Sequence, residues 1–139
     1  MNNRVLWATL AGGVASYLLG WLIYGILLRD MTSMYGSATG VQKTDMRDMW
    51  ALILGNFSIA YLLVHIFTRW ANISTLQAGA TTGALLGFLI WLSVDLIMFG
   101  TTNVYSLTGV VVDVIVSTVM GAVSGGVIGW VLGYKRTTG

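Results

Sequence analysis

Gly121, Gly125, Gly129 and Gly133 recur at every fourth position in a stretch, Val114 to Tyr134, that holds no charged residue. In a helix bathed in water each glycine costs about 1 kcal/mol relative to alanine. In a bilayer the same spacing lets two helix backbones come close together. The row runs back through Ser117 to Asp113, so a strip of small residues ends on an acid. Two other segments repeat the device. One carries Gly79, Gly83 and Gly87, then Trp91 and Asp95; the other carries Ala8, Gly12, Ser16 and Gly20, then Tyr24. These rows are expected to be the seams through which the helices pack.

Only 9% of the 139 residues are charged and 56% are hydrophobic, against roughly 25% charged in an ordinary soluble domain. So few charges cannot make a water-exposed surface, and the expected solvent is lipid. A net charge of +2 gives no reason to expect a nucleic-acid partner. There is no cysteine, which excludes disulfides and thiolate metal sites. Proline is absent too, which favours continuous spans over the broken helices of many transporters.

About 20 apolar residues cross the hydrocarbon core, and the chain supplies four such runs, at about 5–28, 49–68, 76–99 and 107–134. The first is too long for a signal-peptide core and is expected to remain in the protein. Residues 29–48 read as a polar loop with Met31, Met34 and Tyr35 at the membrane interface. Residues 69–75 and 100–106 read as short connections that make consecutive spans antiparallel neighbours. The predicted fold is a single all-α integral membrane domain, a four-helix bundle with glycine-rich packing. Leu18 to Tyr24 also lines up with Leu85 to Trp91 at an offset of 67, the pattern of a 2+2 internal repeat. The second and fourth spans do not match at that offset.

Arg4, Arg69, Lys135 and Arg136 fall on one side of this topology, and Arg29, Lys43 and Arg47 on the other. By the positive-inside rule the majority places both termini in the cytoplasm. Trp7, Trp50, Trp70, Tyr105, Trp130 and Tyr134 lie near span boundaries, where an aromatic belt belongs. Trp21, Tyr24, Tyr61 and Trp91 read as packing, or as lining for a flat apolar ligand such as a quinone or lipid.

The residues able to carry chemistry are few. Asp95 lies about one turn before the third span ends and Asp113 about one to two turns after the fourth begins, at similar depth on one side. An acid at the centre of a span costs about 2.5–3.5 kcal/mol on insertion scales and is a functional candidate by default. Two carboxylates that close repel, so one keeps a proton; this is the physics of a proton or cation site. The structural alternative is a pairing with Arg29, or capping of the fourth helix by Asp113. His65, the only histidine, is expected to hydrogen-bond near the interface at the opposite membrane face. Asn56 and Ser58 are expected to bond across helices. No metal-ligand spacing, phosphate-binding loop or catalytic triad is present, so neither a cofactor nor an enzyme is expected.

Gly20-Trp-Leu-Ile-Tyr24, the segment Met31 to Gly36, the glycine-rich third span with Trp91 and the Asp113-bearing last span together resemble a family of small bacterial four-span membrane proteins. That family is catalogued as domain of unknown function 1761. The resemblance implies a four-span fold in a bacterial inner membrane and brings no activity or site residues. The favoured function is therefore a non-catalytic membrane protein that self-associates or joins a larger membrane complex. The competing readings are a small proton- or cation-coupled carrier or channel built on Asp95 and Asp113, and a binder of lipid or quinone-like ligands.

Overall fold

The computed structural model describes residues 2–40 and 47–137, and the side chains up to residue 134. Lys43, one of the orientation signals, lies outside the described residues, as do the side chains of Lys135 and Arg136. Among the described residues there are four long helices: α1 (Asn3–Leu22), α2 (Met49–Arg69), α3 (Leu76–Thr101) and α4 (Leu107–Thr137). A π-helical turn, Ile23–Leu27, extends α1, and a short 3₁₀ turn, Thr32–Met34, lies in the loop that follows. All four helices are long and apolar enough to cross a membrane. The large apolar side chains exposed along them, from Leu6 to Trp130, form the surface that lipid solvates. The chain is an all-α, four-helix integral membrane protein.

Local capping sets where the helices begin. Asn2 accepts the Arg4 amide at the start of α1, and Thr75 Oγ1 accepts the Ala78 amide at the start of α3. Ser106 Oγ accepts the Gly109 amide at 3.0 Å, the geometry of an N-cap bonding the third residue of its helix. The cap of α4 is thus Ser106, which leaves Asp113 free of the capping role the sequence allowed it.

α4 is the hub. On one side it meets α3 in an antiparallel register written by the glycines. A Cβ placed on Gly83 would overlap the Gly121 carbonyl oxygen, and one on Gly79 the Gly125 oxygen. Likewise Gly87 abuts Ser117, Gly129 abuts Thr75, and Gly133 abuts Ser74. The approach is reciprocal, since side chains on Gly121 and Gly125 would strike the Gly83 and Gly79 carbonyls. Backbone touches backbone along most of the interface.

α1 packs on α4 and α2 in a different way. A Cβ on Gly12 would run into the Ile128 side chain at 2.6 Å, and one on Gly13 into the Phe57 ring at 2.5 Å. Here glycine makes room for a neighbour's large side chain. Ser16 is buried, Ser124 Oγ donates to the Gly12 carbonyl at 3.3 Å, and a Cβ on Gly20 would stand 3.2 Å from the end of the Met120 side chain. Ala8, Ala60, Leu63, Val64, Phe67, Ile128 and Leu132 form the apolar core. It lies toward the end of the bundle that holds the chain's N-terminus. Arg4 closes this pole by donating from Nε and Nη2 to the Leu132 carbonyl, at 3.0 and 2.6 Å.

Asn56 departs from expectation. Its Nδ2 bonds the Leu52 carbonyl at 2.8 Å within α2, while Ser58 lies on the exposed face. The outer half of α2 leans on few neighbours, and a polar side chain there falls back on its own helix.

Candidate functional site

Continuing the α3–α4 glycine register by two further steps sets Asp95 opposite Gly109, one turn from Asp113. The close approach of the two backbones therefore delivers both acids to one place. Each lies six residues from the hairpin end of its helix, about 9 Å below the rim at 1.5 Å per residue. Asp95 is 1% exposed and Asp113 6%, and their carboxyl groups stand within hydrogen-bonding range of each other.

A third element supplies the phenol. Tyr24 Oη donates to Asp113 Oδ1 at 2.5 Å, and the Ser117 hydroxyl stands beside the same phenol oxygen. Tyr24 sits in the π-helical turn, where the Leu28 amide bonds the Ile23 carbonyl at 2.8 Å, five residues back. Such turns widen a helix locally and are frequent at functional sites. Asp95 Oδ2 is the remaining polar atom of the cluster, buried and without a hydrogen-bond partner. Among the described residues neither carboxyl forms an ion pair. Arg29 is exposed, so the sequence-based pairing of Asp95 or Asp113 with Arg29 is not what the structure holds. A tyrosine hydroxyl fills that position and leaves the negative charge uncompensated.

The loop after α1 seals the site from its near side. The Gly36 amide bonds the Val104 carbonyl at 2.9 Å, the Ala38 amide bonds the Asn103 carbonyl at 3.0 Å, and the Ser106 amide bonds the Met34 carbonyl at 3.0 Å. Ser106 Oγ donates to the Ser33 carbonyl. Gly109 is required here because a side chain would strike the Met34 carbonyl. Met34, expected at the interface, is instead 3% exposed. Tyr105, expected in the aromatic belt, stacks on Tyr35 with centroids 6.3 Å apart. Its burial, then the nearby negative charge of the Asp113–Asp95 pair, hold its hydroxyl above the usual tyrosine range.

His65 stays apart from this cluster. It lies near the far end of α2, edge-on to Trp70 at 5.6 Å and near Tyr61 at 6.0 Å. The other aromatics expected at span boundaries (Trp7, Trp50, Trp70, Trp130 and Tyr134) are exposed. Trp7, Trp130 and Tyr134 line a shallow apolar groove with Ala11 and Val131.

Fold and site together define a polytopic membrane protein with a buried acidic pair near one rim. Comparison with protein-family models, with curated proteins and with solved structures returns no match in any of the three. The functional reading therefore stands on the geometry alone.

Proposed function

We propose that the protein is a small, non-enzymatic proton- or cation-coupled carrier or channel, with Asp95 and Asp113 as its ion site. The observation that carries this reading is the Asp95 carboxyl, fully buried in a membrane span with one oxygen unpartnered, beside a second buried acid. Burying an acid in a span is costly. Two like charges 4 Å apart repel by about 4 kcal/mol at an effective dielectric constant of 20. Packing alone gives no reason to bear these costs, since α3 and α4 are already joined by glycines. An exchangeable ion does.

The setting proposed is a bacterial cytoplasmic membrane with both termini inside, in keeping with the basic residues near the span ends and the resemblance to the domain of unknown function 1761 family. Proteoliposomes under an imposed pH or cation gradient test the reading. Wild-type protein should carry flux. Asp95→Asn and Asp113→Asn should reduce it to the level of protein-free vesicles while the folded yield persists. Wild-type flux indistinguishable from empty vesicles under every gradient would remove the proposal.

A second reading, self-association or membership of a larger membrane complex, draws support from α2. Its outer half, from Trp50 to Gly55, is exposed, and Gly55 has nothing within 4 Å of where a side chain would begin. A lipid-facing glycine without a neighbour has no packing reason within one chain. Purification from native membranes in mild detergent tests this: a defined oligomer or partner is expected, and a strictly monomeric species would count against it.

A further inference from the structure

Resting on the ion-site reading, we propose that Asp95 and Asp113 hold one proton between them, carried on Asp95 and donated to Asp113, and that this proton is the ion the site handles. The hydrogen-bond pattern separates the two acids. Asp113 Oδ1 accepts the Tyr24 hydroxyl, and charge-assisted bonds of this kind favour an ionised acceptor. Asp95 accepts nothing at Oδ2 and is the more deeply buried of the two. An ionised carboxylate with an unpartnered buried oxygen is among the most costly groups a membrane interior can hold. A neutral acid leaves only a carbonyl oxygen unpaired, and its hydroxyl can donate across to Asp113. Two close carboxyls sharing one proton follow the same logic as a catalytic carboxylate dyad.

The ligand set points away from divalent metal ions. Calcium takes 6–8 oxygens and magnesium a near-ideal octahedron. Among the described residues no three acidic or histidine side chains come together, and the Tyr24 phenol turns its hydrogen into the cluster. The titratable and charged groups facing the pair are Tyr24 from the turn after α1, and Tyr105 from the α3–α4 hairpin with Tyr35 stacked on it. The titratable side chains of α2 lie in its second half, away from the end where α2 begins: Tyr61 stands beside His65, and Arg69 ends the helix. In the exchange step the O–H bond of Asp95 breaks, its electron pair stays on the carboxylate, and the proton passes to Asp113 or to entering water. Tyr24 is a positioning residue: it holds Asp113 in its acceptor orientation and does not itself give up its proton.

Infrared spectroscopy of the whole protein in lipid nanodiscs tests this directly, and the chain suits it, with five aspartates and no glutamate. At neutral pH, where exposed carboxyls are ionised, wild type should show the carbonyl stretch of one protonated carboxylic acid, shifted on transfer to D₂O. The band should vanish in Asp95→Asn and persist at an altered frequency in Asp113→Asn. Tyr24→Phe should shift it without abolishing it. Millimolar sodium, potassium, magnesium or calcium chloride should leave the wild-type band unmoved, a measurement that needs no variant. Absence of the band in wild type, its displacement by one of these salts, or its survival in Asp95→Asn would overturn the assignment. A band without proteoliposome flux would remove the carrier reading and leave the shared proton standing; flux without the band would do the reverse.

Discussion

Tyr24 contributes a hydroxyl that a phenylalanine would lack, and that hydroxyl donates to Asp113 Oδ1. A hydrogen bond to a charged group is worth about 1.5–3 kcal/mol, so Tyr24→Phe should destabilise the fold by that amount in reversible detergent unfolding. Tyr105 offers a pH-dependent counterpart. Its hydroxyl ionises less readily in the folded protein than in the unfolded chain, so above the ordinary tyrosine range near 10 the unfolded state loses its proton first. The sign follows: stability is intact below that pH and falls as pH rises towards the folded-state value. Tyr105→Phe should flatten this alkaline decline in a pH series of unfolding curves; an unchanged slope would mean that Tyr105 ionises as freely when folded. Both acids were legible in the sequence as candidates, because a charge inside an apolar run is costly, but the run alone did not choose between an ion site and pairing or capping. Tyr24 was not legible, although it ends the row Ala8, Gly12, Ser16, Gly20. A phenol in a span reads as filler until a partner is placed opposite it.

Along α3 and α4, glycine acts through what it omits. A methyl on Gly83 would meet the Gly121 carbonyl oxygen, part of a backbone that cannot turn aside. Gly83→Ala should force the helices apart and cost about 1–3 kcal/mol, the usual penalty for overpacking. Gly55→Ala meets open space and should be neutral, or stabilising by up to about 1 kcal/mol from helix propensity. Thermal denaturation of the two variants side by side checks the order, and a Gly55 change more damaging than the Gly83 change would contradict this packing. Periodicity made the α3 and α4 rows readable, and span boundaries followed from hydropathy to within a few residues. The π-helical turn was not readable, because it depends on which carbonyl the Leu28 amide selects and leaves no mark on composition. The loop over the acids was equally hidden. Its buried Met34 and the Gly36–Val104 and Ala38–Asn103 bonds join segments remote in sequence.

The molecule has two unlike poles. At one, Ala8, Phe67, Ile128 and Leu132 make a dry apolar core closed by Arg4 on the Leu132 carbonyl. At the other, three elements and a folded-back loop bury two acids beside a half-buried phenol. Between the poles the α3–α4 glycine ridge fixes the register, so the seam that binds the helices also sets the site. The bundle and the shared depth of Asp95 and Asp113 could be argued from sequence, whereas their burial by a loop and a π turn required the fold. The most direct test of this link is a double-mutant cycle on Asp95→Asn and Asp113→Asn, read as unfolding free energy in detergent. Groups in contact couple by about 0.5–3 kcal/mol, while distant sites add to within about 0.3–0.5 kcal/mol. The double variant should therefore depart from the sum of the single changes by an amount in the first range. Simple additivity would mean that the two carboxyls do not share a site.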